Sequence, residues 1–587
     1  MSVEQTSMDQ LITDNIDVWT STVKAKSASG RGSSKKLELY GVKKLRELIL
    51  ELAVRGKLVP QDPSDEPASV LLERIAEEKT QLIKEKKIKK QKKLEDINDE
   101  EQSFERPQGW AIARLGSLCT KLTDGSHNPA KDAGSGYPMF SSQNVHFRNI
   151  DFTSPSRYVD KENFLKEHAR TQIEPRDVLL TIVGTLGRSA VVPNDAPEFV
   201  LQRSVAVLQT KIDSDFLTYF LASPTCIKYF EENGKGTAQK GIYLGKLSLM
   251  PVFVPPLKEQ HRIVAKVDEL MTLCDQLEQK TEASITAHQV LVTTLLDTLT
   301  NSANAEELMQ NWQMVAEHFD TLFTTEESID QLKQTILQLA VMGKLVPQEP
   351  TDEPAAKLLE RIAEEKAQLV KEKKIKKQKA LPPIADDEKP FELPNGWEWC
   401  RLGSACKKLT DGSHNPPPNH EGGFPMLSCK EIYDGRIDFS LASRFVDQDG
   451  FDKENKRTAI KAGDVLLNIV ASIGRSAIVP EKFPPFVLQR NVAVLDSEIS
   501  SEYLTEFLMS PMALNYYDKN AKGTAQKVIY LGKLSEMLVP VPPLSEQGRI
   551  VIKLTEIMVL CEQLKHRLRD SQQTQLQLTD AIVVQAL

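Results

Sequence analysis

The residues best equipped for chemistry occur twice. Thr-Asp-Gly-Ser-His-Asn-Pro stands at 123–129 and again at 410–416. A histidine three residues after an aspartate could serve as a hydrolytic dyad. Asp-Gly and Asn-Pro are also turn dipeptides whose Asp, Ser and Asn side chains bond their own backbone, and a turn or polar binding loop is the favoured reading. Around the first copy stand Lys121, Ser126, His127, Asn128, Gln143, Asn144, His146 and Arg148, with Arg188 and Arg203 further on. The second copy offers Lys408, Ser413, His414, Asn415, Lys430, Glu431, Tyr433, Arg436, Arg475 and Arg490. Asn and Gln can bond adenine twice, and Arg can do so with guanine, so such sets suit the edges of DNA bases. Lys235 and Lys240 suit phosphates, which position without specifying. For any one of these residues taken singly, an idle polar surface is the favoured reading.

The tools of catalysis are missing. The nearest approach to an adenine-methyltransferase tetrad is Asn415-Pro416-Pro417-Pro418, which lacks the aromatic ring that stacks on a flipped base. Gly184-Thr185-Leu186-Gly187-Arg188 is too short for a nucleoside-triphosphate loop and has no lysine for the phosphates. The seven cysteines form no Cys-x-x-Cys pair, which disfavours structural zinc and a disulfide framework. No catalytic residue, bound metal or bound cofactor is expected.

The elements that position these residues form a tandem repeat with an offset of 287. AVRGKLVPQ at 53–61 returns as AVMGKLVPQ at 340–348, VLLTIVGTLGRSA at 178 as VLLNIVASIGRSA at 465, and VPPLKEQHRIV at 254 as VPPLSEQGRIV at 541. Inside this frame QNVHFRN (143–149) faces KEIYDGR (430–436), a divergence that predicts different recognition by the two copies. Short Val, Ile and Leu runs between turn residues predict mixed α/β domains over 110–257 and 397–544. Ile263, Val267, Leu270, Cys274 and Leu277 follow 4-3-4-3 spacing, as do Ile550, Leu554, Ile557, Cys561 and Leu564. That is a heptad seam, continued toward Leu291, Leu295 and Leu299, and it predicts an antiparallel coiled coil of helices 258–300 and 545–587. Helical repeats are expected at 37–109 and 331–396, an acidic linker at 301–330, and a tail over 1–36 with a short helix and a flexible hinge at 27–36. The fold class is α/β (α+β) with pseudo-twofold repetition.

Composition agrees with a globular protein: 40% hydrophobic, 27% charged, net charge -8, which excludes a disordered chain and a globally basic coat. No stretch of about 20 apolar residues is present and the amino terminus lacks a basic-then-apolar leader, so a cytoplasmic location is expected. The acidity is local. Residues 110–257 carry +2 and 397–544 carry -1, whereas 258–396 hold -9.

Two α/β domains alternating with helical repeats, with AVxGKLVPQ and DEPAxxLLERIAEEK ahead of each, LTDGSH near its start and VPPLxEQxRIV at its end, resemble the specificity subunit of type I restriction-modification enzymes, most like the type IB class. The resemblance implies that each domain is a target recognition domain for one half of a bipartite, asymmetric double-stranded DNA sequence. It implies a coiled coil that sets the spacer and carries two modification subunits. Those subunits use S-adenosylmethionine to methylate adenine, and two restriction subunits use ATP and magnesium to translocate and cut. Because the two domains align without a gap, related half-sites are expected. The rival readings are a self-contained methyltransferase or nuclease, and a scaffold that never touches DNA.

Overall fold

Val178–Thr181 lacks polar alternation, which predicts a strand covered on both faces, and all four residues are buried. In the computed structural model, which describes residues 8–25, 37–88, 90, 92–102, 104–236, 239–375, 380–433, 435–524 and 526–587, this strand is central. It lies in an antiparallel sheet of order 189–191, 178–181, 205–210, 119–124. A smaller sheet pairs Tyr137–Phe140 in parallel with Val200–Leu201 and antiparallel with Arg157–Val159. A tight hairpin joins Val145–His146 to Asn149–Ile150. The second copy repeats the arrangement, with 476–478, 465–468, 492–497 and 406–411 in its larger sheet.

The chain divides into two compact units, Met1–Ser284 with Ser571–Leu587, and Ile285–Asp570. In the first, Ala111–Arg114 pairs antiparallel with Pro251–Val254, so the α/β domain's two ends leave it together. The same closure joins Glu398–Arg401 to Leu538–Val541 in the second.

The repeated motifs form the joint between domain and helices. Glu259, of the VPPLxEQxRIV motif, accepts from Trp110 Nε1 at 3.0 Å and from Gln61 Nε2 at 3.3 Å. Gln260 accepts from the Asp213 amide at 2.7 Å, and Arg262 donates to Asp65 of the DEP turn at 2.7 Å. Glu546, Trp397, Gln348, Gln547, Arg549 and Asp352 make the equivalent bonds. Glu259→Leu strands the buried Trp110 indole N–H and is expected to destabilise the first unit by about 2 kcal/mol. A urea midpoint that does not move would contradict this.

Each unit uses one repeat helix as a common support. In the first, Tyr40–Val54 crosses the start of the long helix Leu257–Asn301 antiparallel, with Arg46 2.6 Å from Glu278 and Gln61 at Glu259. The end of the other long helix, Leu544–Ala586, runs parallel to the same support: Tyr40 bonds Asp580 at 2.8 Å and Lys57 bonds the Leu587 carbonyl. In the second unit Glu326–Val341 pairs Lys333 with Glu562 at 2.7 Å and Gln348 lies 3.2 Å from Glu546, one antiparallel set. Gln331 and Lys344 meet Thr293 and the Thr300 carbonyl, the parallel set. Segments of the two long helices therefore run antiparallel within each unit, as expected.

The seam needs one correction. Ile263, Val267, Leu270, Cys274, Leu277 and Leu299 are buried as expected, but Leu291 is 50% exposed while Val292 and Leu296 are 1% and 4% exposed. After Leu277 the inward positions continue at Thr281 and Ile285, two steps of four that shift the seam by one residue. The stretch expected as an acidic linker is largely helical, with Ala305–Glu317 and Phe319–Leu322 ahead of the next repeat helix. The hinge expected at 27–36 lies outside the described residues. Before it, Trp19 is fully buried, and Gly41 packs so closely that a Cβ would lie 2.3 Å from the Trp19 carbonyl oxygen.

Candidate functional site

Hydrogen bonds between loops gather one edge of each α/β domain. The Ser126 amide donates to Leu201 O at 2.7 Å and the Arg203 amide to Ser126 O at 2.9 Å, binding the TDGSHN loop to the Gln202-Arg203 turn. The Ser142 amide donates to Ser204 Oγ at 3.0 Å, which adds the 141–144 turn. Gly184 donates to the Lys240 carbonyl at 2.9 Å and joins loop 183–188 to residues 239–241. The second copy repeats the first two bonds, at 2.7 Å (Ser413 to Leu488) and 3.0 Å (Arg490 to Ser413). Gly125 is required here, since a Cβ would lie 2.2 Å from Leu201 O, and 2.3 Å from Leu488 O at Gly412.

Several predicted residues are available on this surface. Asn128, Gln143, His146 and Arg203 are exposed and Arg188 is half-buried; Asn415, Lys430, Arg436, Arg475 and Arg490 are exposed. His127 is 53% exposed, with Nε2 2.8 Å from Asp124, whose other oxygen accepts from Arg170 at 2.6 Å. His414 lies 2.7 Å from Asp411, which also holds Arg457. The aspartate is thus a bracket that orients an exposed imidazole between a cation and a turn, and both ring and loop face outward as hydrogen-bonding groups. The sequence reading passes over Arg170 and Arg457, although an arginine kept at the 287 offset is a visible signal.

Other predicted residues are committed internally. Lys121 lies 2.7 Å from Asp177, whose carboxyl burial pushes upward in pKa, and Lys408 lies 2.9 Å from the matching Asp464. Ser126 donates to Glu167 at 2.7 Å and Ser413 to Glu454 at 2.9 Å. Asn144 is buried, accepting from the Ser141 amide and donating to Ser154 O; Glu431, its counterpart, is buried and accepts from the Ser428 amide at 2.7 Å. The exchange of Asn for Glu therefore preserves a turn. Tyr433 donates to Asp438 at 2.8 Å. Arg148 turns back toward the long helix, bonding Tyr219 and Asp268 and stacking 4.8 Å from the Tyr219 ring centre. Arg157, on the edge strand of the smaller sheet, donates to Ala130 O at 2.8 Å. Breaking a buried pair by Lys121→Ala is expected to destabilise the domain by about 3 kcal/mol. Thermal unfolding at an unchanged midpoint would show the pair to be idle.

Residues 107–287 and 394–571 match the family described as Type I restriction modification DNA specificity domain. The chain is 41% identical to the type I restriction enzyme EcoAI specificity subunit of Escherichia coli, over 99% of this chain and all of that one. It is 38% identical to the EcoEI specificity subunit of Escherichia coli, with the same coverage. Among solved structures it aligns with the HsdS subunit from Thermoanaerobacter tengcongensis at 19% identity and TM-score 0.36, over 83% of this chain and 98% of that one. The chain belongs to the type I restriction-modification DNA specificity subunits, with two target recognition domains.

Proposed function

We propose that the two recognition domains read the two halves of a bipartite, asymmetric DNA target. On this reading the protein itself is not catalytic and works in the cytoplasm. It directs two modification subunits, which use S-adenosylmethionine to methylate adenine. Two restriction subunits, which use ATP and magnesium, complete the complex. The observation that carries the reading is the duplicated loop edge: the same bracketed His127 and His414, set beside exposed positions whose chemistry differs between copies. Shared brackets suit shared bases, and Gln143 against Lys430 suits a differing one. Exposed apolar residues on the long helices, among them Val290, Ile552 and Val559, 51–63% exposed, support helical docking surfaces for partners.

A gel-shift titration with a modification subunit present tests the reading. Binding should depend on sequence in both half-sites, and sequence-independent binding, or methyl transfer by the purified chain alone, would refute it. The long helices would also set the spacer. Inserting about four residues near Val292 adds about 6 Å of helix, and the tolerated spacer should change with it; unchanged spacing would reject that role.

A further inference from the structure

The two copies differ most at one place behind the hairpin of each recognition domain. In the first copy Arg148 takes a left-handed φ of 58°, a strained backbone for a side-chain-bearing residue. It is held there by Tyr219 and Asp268, and Asp215 lies 4.0 Å from it. Arg176 adds a second guanidinium, 2.8 Å from Asp215. The first copy thus places its own cations between its hairpin and the long helix, where Arg148, Arg176 and Asp215 line a smaller cavity of about 300 Å³.

The second copy has lost both. The 287 offset places Gly435 at Arg148, Gly463 at Arg176, Glu502 at Asp215, Glu506 at Tyr219 and Thr555 at Asp268. Gly435 takes the same left-handed turn at φ 74° without strain. What remains is a cavity of about 920 Å³ walled by Tyr433, Gly435, Glu502, Glu506, Thr555 and Met558. Of the chain's own cations that line it, Lys333 pairs with Glu562 at 2.7 Å and also faces Glu506, Lys565 pairs with Asp330, and Arg436 is exposed to solvent. Among the described residues Glu506 forms no ion pair, and burial pushes its carboxyl upward in pKa. Glu502 accepts from Ser500 Oγ, at 2.7 Å, and pairs with no cation among the described residues.

We infer that this cavity is a socket for an arginine side chain presented by the modification subunit that docks on the second half of the chain, seated between Glu506 and Glu502 in the place that Arg148 fills in the first copy. The argument is charge complementarity with an internal template: one fold, one position, a guanidinium present in one copy and missing from the other, where Glu502 keeps the carboxylate of Asp215, Glu506 adds one in place of Tyr219, and Asp268 has become Thr555. A buried, bidentate guanidinium–carboxylate pair suits that geometry better than an ammonium. The inference rests on the proposed partnership with modification subunits. It adds that the two partner interfaces are unequal, since only the second half offers the socket.

The test is a binding titration of the full chain with purified modification subunit, comparing wild type with Glu506→Gln and with the triple change Gly435→Arg, Glu506→Tyr and Thr555→Asp, which installs the first copy's plug. Both variants should bind the first modification subunit normally and the second at least about tenfold more weakly. Equal affinity for both subunits in wild type and variants would overturn the socket. Weaker binding of both subunits would also overturn it. No binding of the wild type would instead refute the partnership on which it rests. Glu506→Gln is close to isosteric and keeps the test decisive if the triple variant misfolds; unchanged circular dichroism and melting temperature establish that either variant is folded.

Discussion

Gly125→Ala is expected to abolish recognition of one half-site and leave the other unchanged. The added methyl would meet three backbone atoms of Leu201 and Gln202 at 2.2–2.5 Å, and backbone cannot rotate aside as a side-chain tip can. Either the TDGSHN loop or the Gln202-Arg203 turn must shift, and the bonds between Ser126, Leu201 and Arg203 that align them break. Each good bidentate bond to a base contributes about 1–3 kcal/mol of discrimination, so displacing two such loops should lower methylation of the cognate target by about a hundredfold or more. Gly412→Ala should do the same for the second half, because its Cβ would lie 2.3 Å from Leu488 O. The measurement is methylation of a target library randomised in one half at a time. Loss of selectivity in both halves from one substitution would show that the domains do not read independently.

The second large effect concerns the divergent window. Replacing Gln143, His146 and Asn149 by Lys, Tyr and Arg, the residues of the second copy, should change the preferred bases of the first half-site only. Making or breaking one base-specific hydrogen-bonded pair, at about 1–3 kcal/mol, corresponds to a roughly tenfold to hundredfold change at the affected base pair. Asn144→Glu should not change preference, because that side chain is buried in a turn that Glu431 builds equally well. Altered preference in both halves, or in neither, would remove the window from the readout.

Much of this architecture was legible in the residues because the chain states it twice. A period of 287 located both domains, and continuous apolar runs such as VLLT located their central strands. The heptad pattern found the long helices but carried the seam one residue astray, since a stutter is set by which neighbours a helix meets and leaves little trace in composition. At the site, residue type alone could not separate Gln143, exposed, from Asn144, buried one position later. Lys121 reads as one of the base-edge set until Asp177, 56 positions away, is brought within 2.7 Å of it. Arg148 looked like a base reader until the fold set Tyr219 and Asp268 beside it. Partners distant in sequence decide such roles, and only the fold supplies them. The motifs that carried the family resemblance turned out to do something local: Gln61, Trp110, Glu259 and Arg262 tie each recognition domain to its helices.

The central claim is that this chain alone chooses where the complex acts. Mapping methylated adenines across the genome, in cells with and without the chain and in cells carrying the Gln143, His146 and Asn149 exchange, tests it most directly. The account predicts one two-part asymmetric motif that disappears without the chain and changes in a single half with the exchange. The same methylated motif in all three strains would contradict it.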